Sequence, residues 1–246
     1  MDQSTSRRGQ PCWYRKVGLA AINDALLLES IVFRLLKVHF SYKPQTHMKL
    51  VDLFHDVTFR TELGQLLDLT SLNASKANKL ENFTMKRYLQ MVRNKTAYYS
   101  FVLPVHASMI LVGYSNISAL VEVQECLLEL GTFFQIQDDF LDFFGDPSYT
   151  GKIGTDIEEG KCTWIALKCM EKSSSDQLDL FREWVGKAEH RDDIAQLYRS
   201  LAIDSDFHQL EDNFITQFLE SYKAIEDKKL CAILEFFGSL VVKRQK

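Results

Sequence analysis

Gln135 to Asp146 reads QIQDDFLDFFGD, and this stretch decides what kind of helix, and what kind of chemistry, the chain carries. At about 100° per residue, Gln135, Asp138, Asp139, Asp142 and Asp146 fall within a sector of roughly 100°. Phe133, Phe134, Ile136, Phe140, Leu141, Phe143 and Phe144 cover the remaining surface. No lysine or arginine occurs between Thr96 and Gly151. Like charges at i,i+4 cost only about 0.2 to 0.5 kcal/mol per pair in water, but several times that when they face a cavity between helices without protonation or a partner. A solvated acidic face is the plain alternative, and the apolar flanks argue against it. The stripe therefore calls for a cation. Donors that are all oxygen select a hard ion, most simply Mg²⁺, which keeps several waters and takes one or two carboxylates plus a substrate phosphate.

Composition narrows the setting. The chain has 246 residues, 46% of them hydrophobic, enough for one large domain spanning 1–246 with a sizeable core. Its net charge of −4 gives no reason to expect nucleic acid or an anionic membrane as a bulk partner, so an anionic ligand must be held by local cations or metal. Five cysteines form no CxxC pair and lie in apolar surroundings, which suits a reduced, cytoplasmic compartment. The histidines show no HExxH spacing, and no zinc site is visible. No apolar run reaches membrane-spanning length, and MDQSTSRRGQ lacks the hydrophobic centre of a secretory signal.

Proline occurs only at positions 11, 44, 104 and 147, and apolar residues recur at i, i+3, i+4 between these breaks. The pattern predicts an all-α fold, with helices near 15–41, 46–72, 83–115 (bent at Pro104), 117–144, 155–171, 175–187, 189–202, 205–224 and 227–243. Several are more apolar than a surface helix requires, which implies a central helix surrounded by others, or a helical dimer interface.

Other polar groups interrupt these apolar helices. Thr61, Gln65 and Asp68 stand at i, i+4 and i+7 among Leu63, Leu66, Leu67 and Leu69, on a face that reads as inward. Lys95 and Tyr99 share i,i+4 spacing with Thr96 beside them; Lys95 reads either as a diphosphate or cation-site contact or as a snorkelling surface lysine. After the acidic helix, GDPSYTGKIGTDIEEGK supplies Lys152, Asp156 and Lys161 among glycines that let backbone fold close to a ligand. Its GKIG is a weak match to an RNA-binding loop, which needs an αβ context, and no GxxxxGK phosphate loop is present. Arg7 and Arg8 are two adjacent guanidiniums able to grip diphosphate oxygens bidentately, or else a basic chain tip.

Taken together, STSRRGQPCWYRK, GLAAINDALLLES, LFHDVTFRTELGQLLDL, YLQMVRNKTAYYSF and FFQIQDDFLDFFGDPSYTGKIGTDIEEGKCTW resemble the farnesyl diphosphate synthases of the trans-isoprenyl diphosphate synthase family. The resemblance covers nearly the whole chain and includes a basic tail, Lys243 to Lys246. It implies an isoprenoid-synthase-type helical bundle around a central cavity, a homodimer, and three Mg²⁺ held on an allylic diphosphate between two aspartate-rich motifs. The implied reaction condenses isopentenyl diphosphate with dimethylallyl or geranyl diphosphate to give farnesyl diphosphate. Asp138, Asp139 and Asp142 then look like the second motif. By the same resemblance Lys95 and Lys152 would touch the allylic diphosphate, and Thr96 and Gln135 would offer oxygens toward the carbocation. Arg7 and Arg8 would grip the two diphosphates. Gln65 and Asp68 would orient substrate and metal-bound water, and Lys161 would lie near the metals.

The departure is at the start, where Met1-Asp2 matches only the last two residues of the family's first DDxxD motif. The expectation is thus a chain lacking the family's first helices, with Asp2 the sole remaining ligand of that motif and activity impaired. Arg60 stands where the family usually has a neutral glutamine. A terpene synthase derived from this family, which ionises a single prenyl diphosphate, and a non-catalytic partner subunit remain open as alternatives.

Overall fold

A computed structural model describes residues 5–7, 9–72, 79–146 and 154–242, with backbone alone at Ser6 and Arg7. A two-residue antiparallel ladder pairs Ser6 with Pro11 and Arg7 with Gln10. The rest of the regular structure is helical, as the apolar periodicity requires. In chain order the helices are α1 (Trp13–Val17), α2 (Ala20–Phe40), α3 (Pro44–Leu69), α4 (Met85–Val92), α5 (Leu103–Leu111) and α6 (Ile117–Phe144). There follow α7 (Asp156–Glu159), α8 (Trp164–Lys172), α9 (Ser175–Trp184), α10 (Arg191–Ser200), α11 (Ile203–Lys223) and α12 (Lys228–Val241).

Polar side chains start several of these helices by satisfying their first free N–H groups. Thr84 accepts from the Arg87 amide, Asn116 from Ala119 and Thr163 from Ala166, while Ser174 and Gln177 form a reciprocal capping box. Two predicted helices are divided by glycine. Gly18 (φ 63°) separates α1 from α2, and Gly160 (φ 61°) closes α7 in the left-handed conformation, so the predicted 155–171 helix becomes α7 and α8.

The largest departure lies inside predicted helix 83–115. Between α4 and α5, Arg93–Val102 runs for 10 residues as a π-helix, with i→i+5 hydrogen bonding. Pro104 occupies the second position of α5, immediately after this segment, where the register returns to i→i+4. Lys95 and Tyr99 differ in exposure: the Lys95 side chain is 13% exposed, whereas Tyr99 is 50% exposed.

Helices α3 and α6 lie along the π segment on either side. Both contacts depend on glycine. A Cβ on Gly64 would lie 2.6 Å from the Lys95 Cα, and one on Gly131 would lie 2.6 Å from the Ala97 Cα. These close approaches set the backbone that carries Lys95 and Thr96 against the helices that carry Asp68 and Gln135.

The core forms two adjoining clusters. One gathers Tyr88, Met91, Trp164, Ile165, Phe181, Ile194 and Ile203. The other gathers Phe101, Val123, Leu127, Leu130, Phe218 and Leu234. Helix α6 contributes to both, and a ladder of rings joins it to α11: Phe133 stacks on Phe214 at 4.1 Å and Phe140 on Phe207 at 3.8 Å. Phe133 is therefore a packing residue between helices.

Replacing Gly131 by alanine would ordinarily favour a helix by about 1 kcal/mol. Here the added methyl meets the π segment, so Gly131→Ala is expected to lower stability by about 1 to 3 kcal/mol, read as a fall in the urea midpoint. A rise in the midpoint would contradict the packing described.

Candidate active site

The acidic helix does not present its aspartates equally. Asp138 and Asp142 are half-buried, whereas Asp139 is 4% exposed and surrounded by donors. Its Oδ2 accepts the Tyr88 hydroxyl at 2.6 Å and the Trp164 backbone N–H at 2.9 Å. Its Oδ1 accepts the Gln135 amide N–H at 2.9 Å. Burial raises the Asp139 pKa to about 6, although the nearby Lys95 ammonium and these donors pull the other way. Of the expected ligand trio Asp138, Asp139 and Asp142, the middle member has both oxygens hydrogen-bonded inside the protein.

Gln135 and Thr96 meet across the helix interface. The Thr96 hydroxyl, from the π segment, donates to Gln135 Oε1 at 2.6 Å, and both residues are buried. Next to Thr96, Lys95 turns the other way and places Nζ 3.0 Å from Asp68 Oδ2 on α3. Burial works against the Lys95 charge, but the carboxylate of Asp68, then those of Asp139 and Asp156, hold its pKa above the usual lysine value. Lys95 is therefore a half-buried group whose charge is held by facing carboxylates, and the reading of it as a surface lysine does not apply. The other Asp68 oxygen, Oδ1, is buried without a hydrogen-bond partner. Gln65 is half-buried next to Gly64, and the Thr61 hydroxyl turns back onto the Val57 carbonyl at 2.8 Å.

Asp156 joins this group from α7. Its backbone N–H donates to Asp142 Oδ2 at 3.1 Å, and burial together with repulsion from Asp142 pushes its carboxyl up to about 7. Gly154 permits the approach, since a Cβ there would lie 2.6 Å from Asp142 Oδ2. Lys161 bridges Asp156 Oδ1 at 3.2 Å and Glu159 Oε2 at 3.1 Å, and these carboxylates raise its pKa despite burial. Arg60 pairs with Asp56 at 2.7 Å and lies over the Tyr98 ring at 4.6 Å, away from the carboxylates of α6. Asp2, Arg8 and Lys152 lie outside the described residues, and Arg7 is described in its backbone only.

Three features fit a divalent cation. The half-buried Asp142 and Asp156 repel one another, Asp68 Oδ1 lacks a donor, and every candidate ligand atom is oxygen. Among the described residues no three His, Cys, Asp or Glu side chains converge on one point. That donor set suits an ion which completes its shell with water and substrate oxygens. Sequence reasoning missed Tyr88 and the Trp164 amide as supports of the site. An aromatic ring in an apolar helix and a backbone N–H carry no signal of such a role.

Residues 1–201 match the polyprenyl synthetase family. Farnesyl pyrophosphate synthase of Bos taurus is 44% identical over 232 residues, which cover 91% of this chain and 65% of that protein. Farnesyl pyrophosphate synthase 1 of Cannabis sativa is 41% identical over 250 residues, covering 100% of this chain and 72% of its own length. A solved structure of farnesyl diphosphate synthase from T. brucei, in complex with the bisphosphonate BPH-1326, superposes with a TM-score of 0.90 at 30% identity, covering 99% of this chain and 88% of that one. The helical bundle is therefore of the isoprenoid-synthase type. The chain belongs to the polyprenyl synthetase family, whose farnesyl pyrophosphate synthase members are the relatives it matches, and it spans about two thirds of the length of the first of them.

The pKa of Asp156 gives a direct test of the repulsion. A carboxyl at about 7 in the folded chain and near 3.9 when unfolded binds its proton more tightly when folded. Its contribution to stability is present at low pH and is lost as pH rises toward 7, by up to about 1.4 kcal/mol per pH unit. In metal-free solution, urea denaturation should show wild type losing stability relative to Asp156→Asn between pH 5 and 7, and added Mg²⁺ should reduce that loss. A difference independent of pH would contradict the assignment.

Proposed function

We propose that this protein condenses isopentenyl diphosphate with dimethylallyl and geranyl diphosphates to form farnesyl diphosphate, with Mg²⁺ as cofactor. The observation that carries the reading is the half-buried Lys95 ammonium, 3.0 Å from Asp68 and within the field of Asp139 and Asp156. A cation set among carboxylates is what a site needs to receive diphosphate and divalent metal together. The names of the relatives support the same chemistry.

Asp138, Asp142, Asp156 and Asp68 would hold the metal, with Asp2 as a further ligand, and three ions are expected. When bound, Mg²⁺ neutralises the departing diphosphate and so favours ionisation of the allylic C1–O bond. Lys95, Lys152 and Lys161 supply fixed positive charge to the same group, and Arg7 and Arg8 bind diphosphate bidentately. Thr96 and Gln135 present oxygens to the allyl cation. The alkene of isopentenyl diphosphate attacks it, forming the new C–C bond, and the proton lost passes to the released diphosphate. Gln65 orients substrate from α3. The buried walls of the π segment and α6 keep water from capturing the cation.

The assembly we propose is a homodimer formed through α2. Leu19 (85% exposed), just before α2, and Ile22 (63%), Leu26 (59%) and Val38 (70%) on α2 are apolar side chains that nothing among the described residues covers, and an exposed patch of this kind marks an interface. Exposed Met48 and Phe59 on α3 extend the apolar surface available to a second copy. The cytoplasm is the proposed compartment, supported by five free cysteines. No helix among the described residues is long and apolar enough to cross a membrane.

With Mg²⁺ and both five-carbon diphosphates, the product should be a fifteen-carbon diphosphate, and Asp142→Ala should reduce its formation by at least about a hundredfold. Hydrocarbon or alcohol formed from one substrate alone would point to a terpene synthase. Turnover that appears only on mixing with a complete synthase would point to a partner subunit. Leu26→Glu should convert the dimer to monomer in sedimentation velocity, and an unchanged dimer would place the interface elsewhere.

A further inference from the structure

Four threonines in or at the ends of helices, Thr61, Thr70, Thr132 and Thr216, donate their hydroxyls to the carbonyl four residues back. Thr96 does not. From the π segment it reaches across to α6, where Gln135 Oε1 takes its proton at 2.6 Å. Gln135 Nε2 in turn donates to Asp139 Oδ1 at 2.9 Å, and Asp139 Oδ2 receives Tyr88 and the Trp164 N–H. The side chains of this chain are all buried, with Tyr88 0%, Asp139 4%, Thr96 5% and Gln135 8% exposed, so water has little access to reorient them.

A carboxylate only accepts hydrogen bonds. The end of the Gln135 amide that faces Asp139 must therefore be its NH2, and the end that faces Thr96 must be its oxygen. The single Thr96 proton is then committed to that oxygen. We propose that Asp139 is a positioning residue that fixes the sense of this chain, so that Thr96 meets a cationic reaction centre with its lone pairs and not with its proton. This inference rests on the proposed function, and it assigns Asp139 a task other than metal ligation.

Asp139→Asn would reverse the chain without changing its shape. Tyr88 and the Trp164 amide still require an oxygen at the Oδ2 position, so the new NH2 must face Gln135. Gln135 then turns its oxygen toward residue 139 and its NH2 toward Thr96, whose proton is released toward the ligand. The test is calorimetric binding, with Mg²⁺, of two allylic diphosphate analogues that differ only in an ammonium nitrogen or a neutral carbon at the cationic position. Asp139→Asn is expected to weaken the ammonium ligand by about tenfold or more while leaving the neutral one within about twofold.

Thr96→Val and Gln135→Met should show the same selective loss with Asp139 untouched, and Thr96→Ser should restore the preference. Combining Asp139→Asn with Thr96→Val should add no further loss. Equal weakening of both ligands by Asp139→Asn, or of neither, would overturn the inference while leaving the proposed function standing. So would retention of the ammonium preference in Gln135→Met. Wild-type protein that binds neither analogue with Mg²⁺ would overturn the proposed function and this inference with it.

Discussion

The hydrogen bonds that converge on Asp139 are the constraint from which the rest of the site is built. One buried carboxylate ties together four separate parts of the chain: Tyr88 from α4, Gln135 from its own helix, the first N–H of α8 at Trp164, and, through Gln135, Thr96 in the π segment. Leaving a buried charge without such donors would cost several kcal/mol, so packing and polarity select the same arrangement. The carboxylate sits within the first hydrophobic cluster, between Ile136 and Phe140 along α6 and beneath Tyr88 and Trp164.

The aspartate-rich stretch thus divides its labour. Asp139 faces inward and supports the scaffold, while Asp138 and Asp142 remain half-buried at the site. Asp156, carried by a helix of four residues, approaches Asp142 where the missing side chain of Gly154 leaves room for the Asp142 carboxylate. On the proposed function the resulting repulsion would be relieved by a divalent cation arriving with substrate, which would turn a destabilising pair into ligands. Lys95 plays the complementary part, with its positive charge already secured by Asp68.

Much of this was legible in the sequence, and the gaps have physical causes. Helical periodicity placed α3, α6 and most of the later helices, and the acidic stripe singled out the face of α6 on which Asp138, Asp139 and Asp142 stand. A period of 3.6 residues, however, puts Asp139 in the same sector as Asp138 and Asp142, and cannot show that Tyr88 and Trp164 close over it. Nor could it foresee the π-helix, whose i→i+5 hydrogen bonding a period of 3.6 residues does not describe. The glycines that admit α3 and α6 to that segment read in sequence only as weak points in good helices, because their meaning lies in what packs against them.

On the proposed function these carboxylates and Lys95 together take up diphosphate and a divalent cation as a unit. Titration of inorganic pyrophosphate into the protein by calorimetry, with Mg²⁺ and then with a chelator, tests it most directly. Binding should require the metal, and Asp138→Ala should remove that requirement's benefit. Pyrophosphate that binds equally well in chelator, or Mg²⁺-dependent binding that survives Asp138→Ala unchanged, would contradict the account.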